Sequence, residues 1–291
     1  MPEQNKCRQK RIAAIHDISG VGKCSLTVAL PVVSAAGIEC CVIPTAVLST
    51  HTGGFKGYTF CDLTSQILPT AKHWAAEGFC FDALYSGYLG SKEQVDILAN
   101  AIKLLKDDNT LIAVDPAMAD NGKLYNLFSP DFPFKMRELC KQADVITPNI
   151  TEACLMLEQP FIKPPYSKEY IETTLKKLSE LTKKYVVLTG VCFDESKLGA
   201  AAYNKLTGEV SYSLKNNISG IYHGTGDIFS SVLVSALVKG CNMQAAINAA
   251  TEFVCMAIEN TKKYNNLWYG VAFEDILFKL PALLEEKHGK V

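Results

Sequence analysis

Short apolar runs alternate along the chain with longer stretches whose apolar positions recur at helical spacing. The runs predict strands at Arg11–Ile15, Ile38–Ile43, Ala83–Ser86, Leu111–Val114, Val145–Thr147, Tyr185–Thr189 and Gly199–Tyr203. The longer stretches predict helices at Ser25–Ala36, Cys61–Glu77, Lys92–Lys106, Thr151–Leu157, Lys168–Lys183, Asp227–Lys239, Met243–Tyr264 and Phe273–Glu285. Several runs are continuously apolar, which is typical of parallel strands buried on both faces. The pattern predicts a three-layer α/β fold, with a central, mostly parallel sheet flanked by helices.

The chain contains no internal repeat, low-complexity run or linker, which favours a single domain over residues 1–291. Its longest irregular stretch is Ala119–Phe134, ADNGKLYNLFSPDFPF. A stretch of this length is consistent with a mobile flap and equally with an ordered surface loop, and length alone does not separate the two.

Composition adds exclusions to this picture. Hydrophobic residues make up 48% of the 291 residues, enough for a substantial core. The formal net charge of −1 argues against a nucleic-acid partner, because binding to a phosphate backbone usually needs a clear basic excess. The best candidate for a membrane span, Ile228–Val238, has only the length of a core helix, so no membrane association is expected.

The cysteines and the N-terminal stretch favour a cytoplasmic protein. The basic stretch NKCRQKR precedes an apolar segment that ends at His16 and Asp17, too short for an export signal. None of the eleven cysteines forms a CxxC pair and the five histidines are scattered, so a zinc site has little support. An odd count of cysteines without a secretion signal favours reduced thiols.

The stretch GVGKCS at Gly20–Ser25 follows a predicted strand and opens a helix, as a phosphate-binding P-loop does. The P-loop pattern needs a glycine where Asp17 stands and Ser or Thr where Cys24 stands, so a true P-loop is not expected. The small residues still line the carboxyl-end edge of the first strand, where open α/β sheets bind ligands. A tight turn without a ligand is the alternative.

A second glycine-rich turn, YHGTGDIFSS at Tyr222–Ser231, leads into a predicted helix. Its glycines allow backbone N–H groups to point into one concavity, and the helix start adds a positive end that stabilises anions. Asp227 stands in the first turn of that helix, where acidic residues are also favoured simply because they cap helices. The turn alone therefore does not separate a catalytic carboxylate from a capping one.

Oxygen-bearing side chains also follow three other predicted strands. Asp115 ends one strand in VDPAM, Asn149 and Glu152 stand three residues apart after another, and VVLTG ends at Thr189 and Gly190. The Asn-x-x-Glu spacing fits a helix capping box as well as a ligand site. Together with the glycine turn, these strand ends indicate a site for a nucleotide and Mg²⁺, which prefers carboxylates, waters and phosphate oxygens.

These motifs in combination resemble the ribokinase superfamily and, within it, the pyridoxal and pyridoxamine kinase branch of vitamin kinases. The resemblance runs from about Arg11 to the last helix and rests on GTGD at Gly224–Asp227, NITE at Asn149–Glu152, VDPAM at Val114–Met118, SGYLG at Ser86–Gly90 and TAVLSTHTGG at Thr45–Gly54. It implies a ribokinase-like fold, ATP as phosphoryl donor, Mg²⁺, a requirement for a monovalent cation in some members, and assembly as a homodimer.

The resemblance also implies roles for individual residues. Asp227 would be the catalytic base, and the amides of Gly224, Thr225 and Gly226 would form the anion hole. Asn149 and Glu152 would organise Mg²⁺, with Asp115 in support near the metal and phosphates. Thr189 and Gly190 resemble a nucleotide-contacting strand end. The vitamin pocket would be formed by Asp17, Ser19, Thr45, His51, Thr52 and Tyr88.

Each of the last assignments has a plainer alternative. His51 is also consistent with a hydrogen-bonded core histidine, and Tyr88 with ordinary packing. His223, beside the anion hole, receives no role. A carboxylate at a helix N-terminus is expected to stay ionised, which would keep Asp227 ready to accept a proton.

The loop HDISGVGKCS departs from the form common in pyridoxal kinases and is closer to that of hydroxymethylpyrimidine kinases. A hydroxymethylpyrimidine kinase, or an enzyme that accepts both rings, is therefore the alternative function. A non-catalytic vitamin sensor on a kinase scaffold is a third, which the intact Asp227, Asn149 and Glu152 disfavour. Only ten positions separate Ile15 from Ser25, which leaves no room for the lid strands of sugar kinases.

Overall fold

The computed structural model describes residues 8–285, and a nine-stranded sheet forms the centre of that range. The strands, in chain order, are β1 (Arg11–Val21), β2 (Glu39–Thr50), β3 (Phe60–Asp62), β4 (Ala83–Ser86), β5 (Leu111–Val114), β6 (Ala119–Asp120), β7 (Lys123–Leu124), β8 (Val145–Ile146), β9 (Tyr185–Asp194), β10 (Lys197–Asn204) and β11 (Val210–Asn216). The order across the sheet is β11-β10-β9-β8-β5-β4-β1-β2-β3, and β6 and β7 form a separate hairpin.

Six strands that are neighbours in the sheet, β2, β1, β4, β5, β8 and β9, pair in parallel, whereas β3, β10 and β11 join the sheet antiparallel. The predicted mostly parallel sheet is therefore confirmed. Strand β1 has β2 on one side and β4 on the other, so the chain reverses its direction of progress across the sheet at this point. In open α/β sheets such a reversal opens a crevice at the carboxyl ends of the strands, where ligands bind.

Helices cover both faces of the sheet, which confirms the three layers. They are α1 (Leu26–Ala35), α2 (Thr64–Ala76), α3 (Lys92–Leu105), α4 (Phe132–Cys140), α5 (Ile150–Met156), α6 (Lys168–Ser179), α7 (Thr225–Val238), α8 (Met243–Thr261), a 3-10 helix at Glu274–Lys279 and α9 (Leu280–Glu285). One core cluster lies between the sheet and α2–α6, and the other between the sheet and α1, α7, α8 and α9. Helix α7 is the most central, since Ile228–Ala236 are all buried.

The first two strands are longer than predicted. Strand β1 continues past Ile15 to Val21 and β2 past Ile43 to Thr50, because their pairing resumes after a register shift between His16 and Ile18. With β3 at the edge, these extensions project beyond the carboxyl edge of the sheet. Only Gly22–Ser25 separate β1 from α1, and they hold no strand, as expected for a chain without a sugar-kinase lid.

Other boundaries also differ from prediction. Strands β3 and β11 and helix α4 were not predicted, β9 and β10 are longer than expected, and the residues after Ser179 leave the helical path that was expected to reach Lys183. The final helix is a 3-10 turn followed by the short α9. Strand β3 has only three residues, all exposed, so it carries no hydrophobic periodicity to predict it.

The irregular stretch Ala119–Phe134 contains the β6–β7 hairpin and leads into α4. It is held against α5, because Gly122 N–H donates to Thr151 Oγ1 at 3.0 Å and Asn149 Nδ2 donates to the Ala119 carbonyl at 2.8 Å. Farther along it, the Phe128 ring stacks on Phe132 at 3.9 Å between centroids. These contacts favour the ordered-loop interpretation of the stretch over its first and last residues.

Apart from Cys241, the nine other cysteines within residues 8–285 are free thiols. Within the same range, none of the helices combines the length and apolarity that crossing a bilayer demands.

Candidate active site

Helix α7 begins at the crevice with the glycine turn. Gly224 has φ of 80°, a left-handed conformation that favours glycine, and a Cβ at this position would overlap the carbonyl oxygen of Lys23. Gly226 is different, because a Cβ there would meet no atom within 4 Å. The turn therefore has one glycine that the backbone requires and one that borders open space. The first amides of the helix face this space, as an anion-binding helix start requires.

Asp227 lies in the first turn of α7 and its pKa is raised to about 7. The main cause is the protein packed around it, which disfavours the charged form although some of the side chain reaches solvent. The carboxylates of Asp115 and Asp17 raise the pKa further, and a hydrogen bond from the Ser25 backbone N–H opposes them. The expectation that Asp227 stays fully ionised at a helix start is wrong, since burial and two acids outweigh the helix end.

Asp115 directly follows β5 and contacts the first turns of α7. Its Oδ2 accepts a hydrogen bond from Ser230 Oγ at 2.8 Å, and Ser230 Oγ lies 3.0 Å from Thr147 Oγ1. Ser230 is three residues after Asp227, so the same face of α7 presents both groups. Burial raises the pKa of Asp115 to about 6 despite these hydroxyls. The hydroxyls of Ser230 and Thr147 thus both hydrogen-bond to this carboxylate.

Asn149 and Glu152 form the complete capping box of α5. Asn149 Oδ1 accepts from Glu152 N–H at 2.9 Å, and Glu152 Oε2 accepts from Asn149 N–H at 2.8 Å. Glu152 Oε1 also accepts from the backbone N–H groups of Met118 and Ala119, the residues that begin the irregular stretch. The Glu152 side chain is buried, and burial together with Asp115 raises its pKa well above the ordinary value. The capping-box alternative for this pair is therefore confirmed, and the ligand role stays a prediction.

The residues fit a magnesium ion through a small set of donors. No group of three or more His, Cys, Asp or Glu side chains arranged for a metal occurs in the described chain. Mg²⁺, however, usually keeps several waters and takes only one or two carboxylates beside phosphate oxygens. The carboxylate of Asp115 suits such a ligand. Glu152 suits a role beside it, because its oxygens already accept three backbone N–H groups.

Thr189 and Gly190 lie beside this capping box, within β9, which continues past the predicted strand end to Asp194. Thr189 pairs with Asn149 in an isolated bridge, and Thr189 N–H donates to the Pro148 carbonyl at 3.0 Å. Gly190 is exposed with φ of 77° and has only Ile150 near its missing Cβ. The position is open enough for a nucleotide to approach the backbone, as the prediction requires.

On the other side of α7, Asp17 and Ser19 lie at the carboxyl-end part of β1. Ser19 Oγ donates to Asp17 Oδ2 at 3.1 Å, and the Ser25 hydroxyl also hydrogen-bonds to this carboxylate. Burial nonetheless raises the pKa of Asp17. Tyr88, half-buried at the end of β4, has its own pKa raised by burial and by Asp17. Asp17, Ser19 and Tyr88 therefore share one wall of the crevice, as the resemblance implies.

The other predicted acceptor residues lie in β2 and in the loop after it, and their surroundings differ from one another. His51 Nε2 lies 2.8 Å from the Tyr269 carbonyl, and Gly53 N–H donates to His51 Nδ1 at 3.0 Å. Thr52 is exposed. Thr45 is fully buried within β2, and its hydroxyl has no hydrogen-bond partner among the described residues. His51 is thus the hydrogen-bonded histidine of the plainer alternative, at the border of the crevice.

The P-loop-like stretch has a structural role at this border. Lys23 Nζ pairs with Glu274 at 2.7 Å and lies over the Phe273 ring, so its charge points away from the glycine turn. Ser25 has φ of 52°, a strained conformation for a residue other than glycine, and it is this backbone that reaches Asp227. The sequence argument against a true P-loop is therefore consistent with the structure.

Three residues near the site received no role from the sequence. Ser230 holds Asp115, and burial raises the pKa of Tyr125, which the nearby carboxylates of Glu152, Asp227 and Asp115 raise further. His223 precedes the glycine turn and packs against His51. Ser230 had a detectable signal, since it follows Asp227 at helical spacing. Tyr125 had none, because it lies in the irregular stretch.

Comparison with known proteins agrees with this geometry. A profile of the family described as phosphomethylpyrimidine kinase matches residues 28–271. The pyridoxine kinase of Bacillus subtilis is 32% identical over 192 residues, which cover 65% of this chain and 68% of that enzyme. The bifunctional thiamine biosynthetic enzyme TH1 of Arabidopsis thaliana is 26% identical over 80% of this chain, and the matched part spans 43% of its length.

A solved structure shares the whole architecture. A Bacteroides thetaiotaomicron protein, crystallised in an orthorhombic form with pyridoxal, superposes with a TM-score of 0.89 at 37% identity, covering 94% of this chain and 96% of that chain. The implied ribokinase-like vitamin kinase fold is confirmed. Because the profile covers most of the chain, from α1 through the glycine turn, the chain belongs to the phosphomethylpyrimidine kinase family and is a phosphotransferase with an alcohol group as acceptor.

Proposed function

We propose that the protein transfers the γ-phosphoryl group of ATP to the 5′-hydroxymethyl group of a vitamin B6 form, pyridoxal, pyridoxamine or pyridoxine, to give its 5′-phosphate. The observation that carries this proposal is the convergence of Asp227, the first amides of α7 and Asp115 on one crevice, where their carboxylates act on one another. The pyridoxine kinase relative and the pyridoxal-bound neighbour support a B6 acceptor.

In the proposed reaction Asp227 is the general base. The acceptor hydroxyl lies against its carboxylate and gives up its proton as the oxygen attacks phosphorus. The amides of Gly224, Thr225 and Gly226 donate to the phosphoryl oxygens as charge redistributes in the transition state. Positioning and electrostatics then supply most of the acceleration, as is usual for phosphoryl transfer.

The nucleotide occupies the other half of the crevice in this proposal. Thr189 and Gly190 of β9 contact it, and Asp115 and Asn149 border its phosphates. Bound Mg²⁺ would neutralise phosphate charge, with Asp115 as ligand and Glu152 beside it. Burial raises the pKa values of Asp227, Asp115 and Glu152, and Asp115 raises those of Asp227 and Glu152 further. A bound cation would favour the ionised forms of these carboxylates.

The acceptor ring lies on the β1 side, against Asp17, Ser19 and Tyr88. Asp17 has hydroxyl neighbours and no lysine or arginine among the groups that act on it, so it suits a ring nitrogen that carries a proton. Thr45, His51 and Thr52 border the same side through β2 and its following loop. The cytoplasm as location and the homodimer as assembly remain predictions of the sequence and its resemblance.

A hydroxymethylpyrimidine kinase is the second candidate, and three observations favour it. The matching family is described by the pyrimidine substrate, and a relative is a thiamine biosynthetic enzyme. The loop HDISGVGKCS points the same way. Both acceptors present a hydroxymethyl group on a flat nitrogen ring, so the same base and amides serve either.

A coupled ADP-release assay with pyridoxal, pyridoxamine, pyridoxine and hydroxymethylpyrimidine tests the proposal. We expect turnover with at least one B6 form, and turnover only with the pyrimidine would favour the second candidate. The variant D227N should lose about 10²–10⁴-fold in kcat while still binding ATP. The exposed Asp108 offers a matched control, D108N, with unchanged kcat. Binding of a vitamin without ADP release from any acceptor would instead indicate a sensor.

A further inference from the structure

Two histidines lie side by side at the acceptor end of the crevice, and their hydrogen bonding differs. The rings of His51 and His223 are 5.2 Å apart between centroids. His51 accepts from Gly53 N–H at Nδ1, so its proton is on Nε2 and is donated to the Tyr269 carbonyl. Neither ring nitrogen of His223 makes a hydrogen bond to any residue within 8–285. His51 is therefore fully engaged, whereas His223 keeps a donor and an acceptor for a ligand.

The position of His223 connects the acceptor loop with the phosphate-binding turn. It directly precedes Gly224, and its half-buried ring packs on Gly53, where a Cβ would lie 3.1 Å from His223 Cε1. Asp120 of the β6–β7 hairpin also acts on the ring electrostatically. The imidazole therefore stands between the loop that holds His51 and the turn that leads to Asp227.

The chemistry of the candidate acceptors defines which chemical groups can lie near His223. Pyridoxal, pyridoxamine, pyridoxine and hydroxymethylpyrimidine all carry the reacting hydroxymethyl group on one ring carbon. The adjacent ring carbon carries an aldehyde, an aminomethyl, a second hydroxymethyl or an amino group, respectively. These substituents distinguish the acceptors, and each can hydrogen-bond. The substituent beside the reacting group therefore lies one ring position from Asp227, within reach of a residue that flanks the turn.

We propose that His223 is a specificity-determining residue, whose imidazole hydrogen-bonds to the ring substituent adjacent to the reacting hydroxymethyl group. The inference rests on the proposed function, since it assumes an acceptor of this ring class. Nothing in the family match or the resemblance gives this histidine a role. It would choose among acceptors by the bond that each substituent makes, because a buried polar group left unpaired is costly.

The charge state of His223 suits this task. Burial, followed by the neighbouring His51 ring, lowers its pKa, and Asp120 only partly opposes them. The imidazole is therefore mostly neutral at pH 7 and offers both a donor and an acceptor. A neutral ring accepts from an ammonium group and donates to an aldehyde oxygen, whereas a lysine would repel the amine.

A matched pair of acceptors tests the bond directly. Pyridoxine and 4-deoxypyridoxine have the same ring and the same reacting group, but the second replaces the adjacent hydroxymethyl with a methyl group. We expect the wild-type protein to prefer pyridoxine by about tenfold in kcat/KM, the effect of one hydrogen bond. H223A should abolish that preference, and H223Q, which keeps a donor and an acceptor, should retain part of it. The KM for ATP should stay within about twofold.

Three controls make the outcome decisive. The exposed His73 of α2, paired only with Glu77, provides the variant H73A, which should keep the preference. Calorimetric Kd values for both acceptors report the same preference without turnover, and melting curves of H223A and H223Q exclude misfolded variants. An equal loss for both acceptors, or an unchanged preference, would overturn the role of His223. No ADP release by wild type from any acceptor would instead refute the proposed function, while the Kd comparison would still decide on His223.

Discussion

A single carboxylate, Asp227, takes its chemistry from its neighbours and not from its place on the helix. The helix start and the Ser25 N–H both favour the anion, yet packing, Asp115 and Asp17 raise its pKa to about 7. A general base works best when its pKa lies near the working pH, so this value suits proton transfer better than an ordinary aspartate would. The same surroundings that make Asp227 costly to ionise therefore make it effective.

The pH dependence of catalysis should report this pKa. Because only ionised Asp227 accepts a proton, kcat/KM should fall about tenfold per pH unit below pH 7 and level off above it. A profile from pH 5.5 to 8.5 with acceptor below KM measures the free enzyme. Asp115, with its pKa near 6, adds to the acidic limb, so the two values belong to the pair. A limb that stays unchanged in the residual activity of D227N would exclude Asp227.

The ionisation of Asp227 that catalysis needs should lower folding stability. The folded pKa of Asp227 lies above the value of an unfolded aspartate, so the folded state holds a proton between about pH 4 and 7 and loses stability as pH rises through that window. D227N lacks the ionisation, so its free energy of unfolding should exceed that of wild type by roughly 1–2 kcal/mol at pH 8, after discounting for solvent screening. Denaturant unfolding at pH 4.5 and 8 checks this. A difference that is equal at both pH values would contradict it.

At the level of the element, the two glycines at the start of α7 have different roles, one structural and one chemical. Gly224 occupies a left-handed conformation against Lys23, whereas Gly226 has empty space where a side chain would be. G224A should lose about 1–3 kcal/mol of stability, from strain and overlap. G226A should melt near the wild-type temperature, yet lose most of its activity, because its methyl group enters the space for the transferred phosphoryl group.

Thermal melting and kcat, measured together for the two variants, check this separation. Gly208, in the turn after β10, also has a positive φ but has no atom near its missing Cβ. G208A therefore serves as a control for strain without overlap and without a ligand. If G226A kept wild-type kcat, the amides of α7 would not surround the phosphoryl group.

Element types were predictable from the sequence where apolar periodicity was strong, as in α3, α6 and α8. Helix α5 illustrates a limit of another kind, because the Asn149–Glu152 spacing predicted both a capping box and a ligand site, and the structure contains the box next to Asp115. The extension of β1 past Ile15 was not predictable, since polar His16, Asp17 and Ser19 interrupt the apolar run that defines a strand. Their burial depends on β2 and β4, which local sequence does not report.

At the scale of the whole molecule, the site is a product of topology. Asp115 and Asn149 follow β5 and β8, whereas Asp17 and Thr189 lie within the longer strands β1 and β9. The parallel order of these four strands brings the residues to one edge of the sheet. The sequence predicted this gathering because each carboxyl end carried an oxygen-bearing group. It did not predict how the acids would influence one another, because a pKa depends on distances between segments far apart in the chain. His223 escaped assignment for the same reason.

The projecting ends of β1, β2 and β3 carry the last prediction, which concerns assembly. Val21, Val47 and Phe60 are 52%, 40% and 45% exposed there, and the outer strand β3 has no further neighbouring strand in the described chain. Clustered apolar exposure and an open edge usually mark an interaction surface. We therefore expect the homodimer implied by the resemblance to form through this projection, with a mass twice the 31.8 kDa of the chain by light scattering.

V47D should shift the protein to monomer, whereas L206D, at an equally apolar exposed residue in the β10–β11 turn, should leave the dimer intact. Because β2 continues into the loop that holds His51, the V47D monomer should also bind acceptor more weakly than L206D does. A wild-type protein that is monomeric at micromolar concentration would refute the assembly and leave the chemistry of the crevice untouched.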